Sequence, residues 1–173
     1  MPDKDYSMKK DENNKRLLKL AKFEKLLREA GIHKFNIDLF ESRLKLQKHV
    51  YLAQEMFGMK FDYPFNLYLR GPYSPVLAGD YYKLPEFEGE LGKVRYDKNK
   101  FKRFEEFVKG KNAKELEVIA TTHLVWTRNK QLIDFGIYSK ERLEELVVKK
   151  VVELKKANEN HVRNILKEIQ VMG

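Results

Sequence analysis

Apolar positions along the chain recur mainly at helical spacing, and short breaks separate the recurrences. From about Asn14, Leu17, Leu18, Ala21, Leu26, Leu27 and Ala30 trace a helix face, and Gly31 stands where a helix commonly ends. A second helix is predicted from Leu39 to about Phe57, with Asp38 as its N-cap and Gly58 beyond it. Phe65-Asn66-Leu67-Tyr68-Leu69 alternates as a short strand, and Gly71-Pro72 breaks it. Ser74 then caps a helix whose first residue is Pro75. Residues 92–96 read as a second strand pairing with 65–69 in a small ribbon.

Further helices follow over 98–109, opened by Asp97, and over 113–128, where Asn112 and Glu115 have the spacing of a capping box. Two more are expected from Ser139 and over 158–171. Residues 1–12 are polar and aperiodic, so they read as a disordered or frayed tail. The resulting fold class is mainly α with a minor β element: six to seven helices, with a winged-helix-like core as one arrangement. Residues 13–112 would form a helical domain carrying the ribbon, with 113–173 as a helical C-terminal subdomain packed on it.

Composition narrows this reading. A chain of 173 residues can bury a sizeable core. Its mean hydropathy of -0.63 and 35% charged residues fit a globular protein with a charged surface. No apolar run approaches a membrane span, and the N-terminal segment is polar, so a cytoplasmic location without membrane partners is expected. The absence of cysteine excludes disulfides, thiolate metal sites and cysteine nucleophiles.

The net charge of +9 invites a nucleic-acid reading, and its distribution tempers it. Residues 1–60 are net +5, 61–97 net -2, 98–112 net +4 and 113–173 net +2. Basic excess therefore divides between the N-terminal helices and the segment around 98–111. The aromatic-rich middle, including Tyr68, Tyr73 and Tyr96 near Arg70 and Arg95, suits a stacking surface, a protein interface or simply a small core.

Catalytic chemistry finds no signature. His33, His49, His123 and His161 lie far apart in sequence without metal-ligand spacing, and no Gly-x-Ser-x-Gly or phosphate-binding loop is present. No catalytic, cofactor or metal residues are assigned, and the chain is read as no enzyme. On the second helix, Lys45 and Lys48 fall opposite the apolar stripe, as partner or phosphate contacts or as a solvated face. In the turn, Arg70, Tyr73 and Ser74 could hold a partner or an anion at a helix start, or serve the turn alone.

Two motifs are the most specific features of the chain: Arg43-Leu44-Lys45-Leu46-Gln47-Lys48 with Tyr51-Leu52, and Gly71-Pro72-Tyr73-Ser74. In these residues the chain resembles the YwgA-like and Panacea-type small proteins, the latter SocA-like antitoxins associated with phage. The resemblance covers about residues 15–96, and the longer helical C-terminus departs from it. It implies a mainly helical fold, no known catalytic residues, and a role in binding a partner protein. The expected function is therefore a non-enzymatic, regulatory interaction module of antitoxin or adaptor type. The alternative is a winged-helix-like DNA-binding transcriptional regulator. Another protein is the first expected partner and nucleic acid the second; self-association stays open.

Overall fold

The computed structural model describes residues 2–172. Its helices are α1 (Pro2–Glu29), α2 (Phe40–Glu55), α3 (Pro75–Tyr81), α4 (Lys98–Val108), α5 (Ala113–Asn129), the single turn α6 (Gln131–Asp134), α7 (Lys140–Lys155) and α8 (Glu159–Met172). Strands β1 (Asn66–Tyr68) and β2 (Gly71–Tyr73) form an antiparallel ribbon. The fold is thus mainly α with a minor β element, as the apolar spacing predicts.

The chain divides into two compact units. The first takes the chain up to Pro64 together with Ser74–Gly110, and the second takes Phe65–Tyr73 together with the chain from Lys111 onward. The ribbon therefore belongs with the C-terminal helices, whereas the sequence places it in the preceding domain. Side-chain ties explain the difference. Arg128 on α5 donates to the Phe65 carbonyl at 2.7 Å, and Lys155 at the end of α7 donates to the Leu69 carbonyl at 2.9 Å.

In the first unit, aromatic rings fill the core. Phe23 of α1 packs edge-on to Phe61, with ring centres 4.9 Å apart, and lies 5.4 Å from Phe104 of α4. Phe57 joins Phe104 and Phe107. Helix α2 is buried on every side from residue 46 to 53, so it has no solvent stripe over that span. The expectation that 1–12 is a tail is corrected for the described residues. Helix α1 runs through them from Pro2, and side chains 4–15 are exposed. Met1 lies outside the described residues. Side chains 4–12, all exposed, carry no apolar stripe, so periodicity is silent about them.

In the second unit, α5 is the central helix, buried without interruption from residue 116 to 124 and flanked by α7, α8 and β2. Its core is aliphatic, with Leu116, Ala120, Val151 and Val162 fully buried. The register pairs Asn66 with Tyr73, Leu67 with Pro72 and Tyr68 with Gly71. Strand β1 thus turns back on the segment read as a strand breaker, and 92–96 forms no strand: residues Leu91–Lys93 make a 3-10 turn. A proline fits a two-stranded ribbon because its outer edge needs no donor. Gly71 is required twice over. Its φ is +85°, and a Cβ there would come within 2.7 Å of the Thr121 hydroxyl.

Local helix signals are realised closely. Ser74 accepts from the Leu77 amide, Asp97 from Asn99 and Lys100, and Ser139 from Arg142. Both halves of the Asn112–Glu115 capping box form. Asp38 does not cap α2; Leu39 occupies that position without a side-chain bond, and Asn36 accepts from the Asp38 amide in a turn before it.

Candidate functional site

Within the first unit, the first of the two motifs that stand out in sequence meets Ser74, the last residue of the second. Gln47 of α2 donates to the Ser74 carbonyl and accepts from the Ser74 amide, each at 2.9 Å. Its side-chain amide thus acts as a short stretch of strand, satisfying both polar groups of a fully buried backbone residue. Ser74 in turn caps α3 at 3.2 Å. Nearby, Asp80 of α3 accepts from Arg16 Nε and from the Tyr63 hydroxyl, both at 2.7 Å. Burial, and then the bond to Asp80, pushes the Tyr63 pKa far up, so its proton is held. These contacts fix α1 and α3 and hold no ligand.

The five residues singled out as contacts therefore separate. Ser74 is buried and committed to its cap, so it offers no anion site. Lys48 is corrected from a solvent-facing contact to a fully enclosed side chain, because α2 has no outer face there. Lys45 is half-buried, and after burial itself its charge is a further cause lowering the pKa of His33 and His49. Arg70 is exposed in the ribbon turn of the second unit. Tyr73 is half-buried on β2, its ring 5.3 Å from that of Tyr68.

The histidines converge more than their spacing suggests. His33 and His49 have ring centres 5.4 Å apart, and His33 Nε2 shares a 2.8 Å bond with the Ser42 hydroxyl. Burial lowers the His33 pKa to about 4 and the His49 pKa well below its ordinary value. Nδ1 of His33 and both nitrogens of His49 have no hydrogen-bond partner among the described residues. A serine beside a histidine with nothing to orient it, both buried, lacks the geometry of an activated nucleophile. No group of three or more His, Cys, Asp or Glu side chains able to hold a metal occurs among the described residues.

Each unit carries more than one cavity, and in each unit one with apolar walls and cationic lining stands out. In the second, a groove of about 490 Å³ is lined by Leu67 of the ribbon, Leu124 and Val125 of α5, Leu132 of α6, and Leu143 and Leu146 of α7. The charged residues lining it are Arg128 and Lys150, both cationic. Close to Leu132 and Tyr138 of its wall in the chain, Phe135 is 73% and Ile137 60% exposed, and in the ribbon Leu69 is 91% exposed. In the first unit, a cavity of about 220 Å³ lies among α1, residues 58–61, residues 94–97 and Lys100. Phe23, Leu26, Met59 and Phe61 supply its buried apolar walls, and Lys19, Lys22, Lys60, Arg95 and Lys100 its cations.

Sequence reading misses both cavities as sites. The signals for that of the first unit are the two basic segments, which fold onto one opening, and the adjacency of Arg95 and Tyr96. No family model, curated protein or solved structure matches the chain. Among the described residues no helix is long and apolar enough to cross a membrane.

Proposed function

We propose that this protein is a non-enzymatic interaction module of antitoxin or adaptor type, whose second unit captures an apolar segment of a partner protein. The observation that carries the reading is the apolar-lined groove, together with Phe135 and Ile137, which stand in solvent close in the chain to its wall residues Leu132 and Tyr138. Exposed hydrocarbon of this kind marks interaction surfaces, because covering it releases water. Arg128 and Lys150 favour a segment that carries carboxylates beside its apolar anchors, such as an acidic amphipathic helix. The resemblance to Panacea-type proteins points the same way. So does the expected cytoplasmic setting.

The test is a pull-down of tagged protein from its own nuclease-treated lysate, run beside the groove variant Leu146→Glu and the turn variant Arg70→Ala. Partner recovery lost with Leu146→Glu and kept with Arg70→Ala supports the reading. Equal recovery with all three sinks it. A single feature favours the DNA-binding alternative: exposed Arg70 at the tip of a ribbon packed on a helix, as in a winged helix. Nuclease-sensitive recovery abolished by Arg70→Ala would move the function there.

A further inference from the structure

The cavity of the first unit combines two features that a purely structural cleft does not need. Its walls are aromatic and aliphatic, and its rim carries five cations against one carboxylate. That carboxylate, Asp97, is already engaged: it accepts from the Asn99 and Lys100 amides at 3.0 Å and starts α4. Among the described residues none of Lys19, Lys22, Lys60, Arg95 and Lys100 takes part in an ion pair. Lys100 Nζ donates to the Gly58 carbonyl at 3.2 Å, which holds one cation at the mouth. The Lys22 ammonium lies 5.9 Å from the centre of the Tyr96 ring.

Gathering like charges without counter-ions raises the free energy of the empty cleft, and an anion relieves it. A bare inorganic anion would leave the apolar walls unused. A volume of about 220 Å³ is below the roughly 300–1,000 Å³ of sites for drug-sized molecules, so one planar group fits and a larger one does not. An aromatic face beside ammonium groups matches a base joined to a phosphate, the same pairing that stacking platforms use on single strands. Lys19, Lys22 and Lys60 of one basic segment and Lys100 of the other thus line one opening.

We propose that this cavity binds a nucleoside phosphate, either free or as one residue of a single-stranded nucleic acid. The base lies against Tyr96 and the apolar wall. Lys22 and Lys100, with Lys19, Lys60 and Arg95 around them, hold the phosphate. The proposal rests on the first unit alone and stands or falls apart from the groove of the second.

The experiment titrates the full chain with AMP and with inorganic phosphate by calorimetry, and with a fluorescein-labelled oligothymidylate by polarisation, at several salt concentrations. Wild type is compared with Tyr96→Ala, Lys22→Ala/Lys100→Ala and the exposed-site reversal Lys19→Glu; circular dichroism checks that each is folded. Tyr96→Ala should weaken AMP about 5- to 150-fold, the range for loss of one base stack. The double lysine variant should flatten the salt dependence of oligonucleotide binding, by about 0.7 in log–log slope for each phosphate it no longer neutralises. Binding of AMP and oligonucleotide with equal affinity identifies the free nucleotide as the source. A tighter oligonucleotide that AMP displaces identifies the strand. No binding of either at millimolar concentration, phosphate competing as well as AMP, or variants that bind like wild type would each overturn the proposal.

Discussion

The two units spend their side chains differently. The first builds its core from rings, keeps two neutral histidines inside it, and gathers around an aromatic-walled cavity a set of cations that take part in no ion pair among the described residues. The second builds its core from aliphatic residues, pairs buried Lys155 with a carboxylate, holds an apolar-lined groove and leaves Phe135, Ile137 and Leu69 in solvent. What a folded unit leaves unsatisfied is a guide to what it meets. Unpaired positive charge attracts anions; uncovered hydrocarbon attracts apolar partners. The contrast teaches that one net charge of +9 describes neither surface.

The sharpest way to break the second unit is through its buried pair. Lys155 and Glu117 are joined at 2.8 Å with side chains 4% and 3% exposed, and Lys155 also holds the Leu69 carbonyl. Lys155→Ala strands the Glu117 carboxylate in the core, and should cost about 3–5 kcal/mol by urea denaturation followed through Trp126, which lies on α5. Replacing both partners, as Lys155→Met with Glu117→Leu, should recover most of that loss. If the single variant is as stable as wild type, the pair does not anchor the ribbon.

The corresponding break in the first unit is smaller because its key contact is neutral. Gln47→Ala removes both bonds to buried Ser74, and about 2 kcal/mol should be lost. Gln47→Glu should do worse than alanine, since it keeps the size, removes the donor and brings a charge into the core. Equal stability of the two variants would show that the clasp is open in solution.

How much of this is legible in the chain depends on the range of the interaction. Ser74, Asp97, Asn112 with Glu115, and Ser139 announce helix starts because a cap is made within three residues of itself. Gln47 and Ser74 stand out as motifs, yet their bond spans 27 residues, so their purpose stays hidden. Lys48 is misplaced because period 3.6 reports a polar face only where a helix has one, and α2 has none from residue 46 to 53. The ribbon is mispaired because its two-residue turn, Leu69-Arg70, lacks the Asn-Gly type of signal that marks tight hairpins. The cavity of the first unit draws on three separate stretches of chain, and only folding puts them side by side.

Acid sharpens the comparison next. The unfolded chain binds a proton at each histidine near pH 6.5, while folded His33 and His123 do so only at about 4, and burial also holds His49 well below its ordinary value. Between those values the unfolded state carries more protons, so stability falls as pH drops from 6.5 toward 4, by up to about 1.4 kcal/mol per pH unit for each histidine. Two of the three lie in the first unit. His49→Phe should flatten the acid slope and hold or raise stability at neutral pH, because neither ring nitrogen has a hydrogen bond to lose. Urea midpoints measured from pH 7 to 4.5 decide it; an unchanged slope would mean that His49 titrates normally.

The smallest effect bears most directly on what the two surfaces are for. Lys19→Gln removes one of the cavity's cations at an exposed position that takes part in no ion pair among the described residues. Relief of repulsion should raise stability slightly, by less than about 0.5 kcal/mol. The gain should disappear in 1 M salt, where the screening length falls to about 3 Å. Phe135→Ser in the second unit should show no such salt dependence, because water rather than charge sets its free energy. Thermal melts of both variants at low and high salt make the comparison. A gain for Lys19→Gln that persists at high salt would mean that the cations of the first unit do not repel one another, and the case for an anion in their midst would lose its electrostatic half.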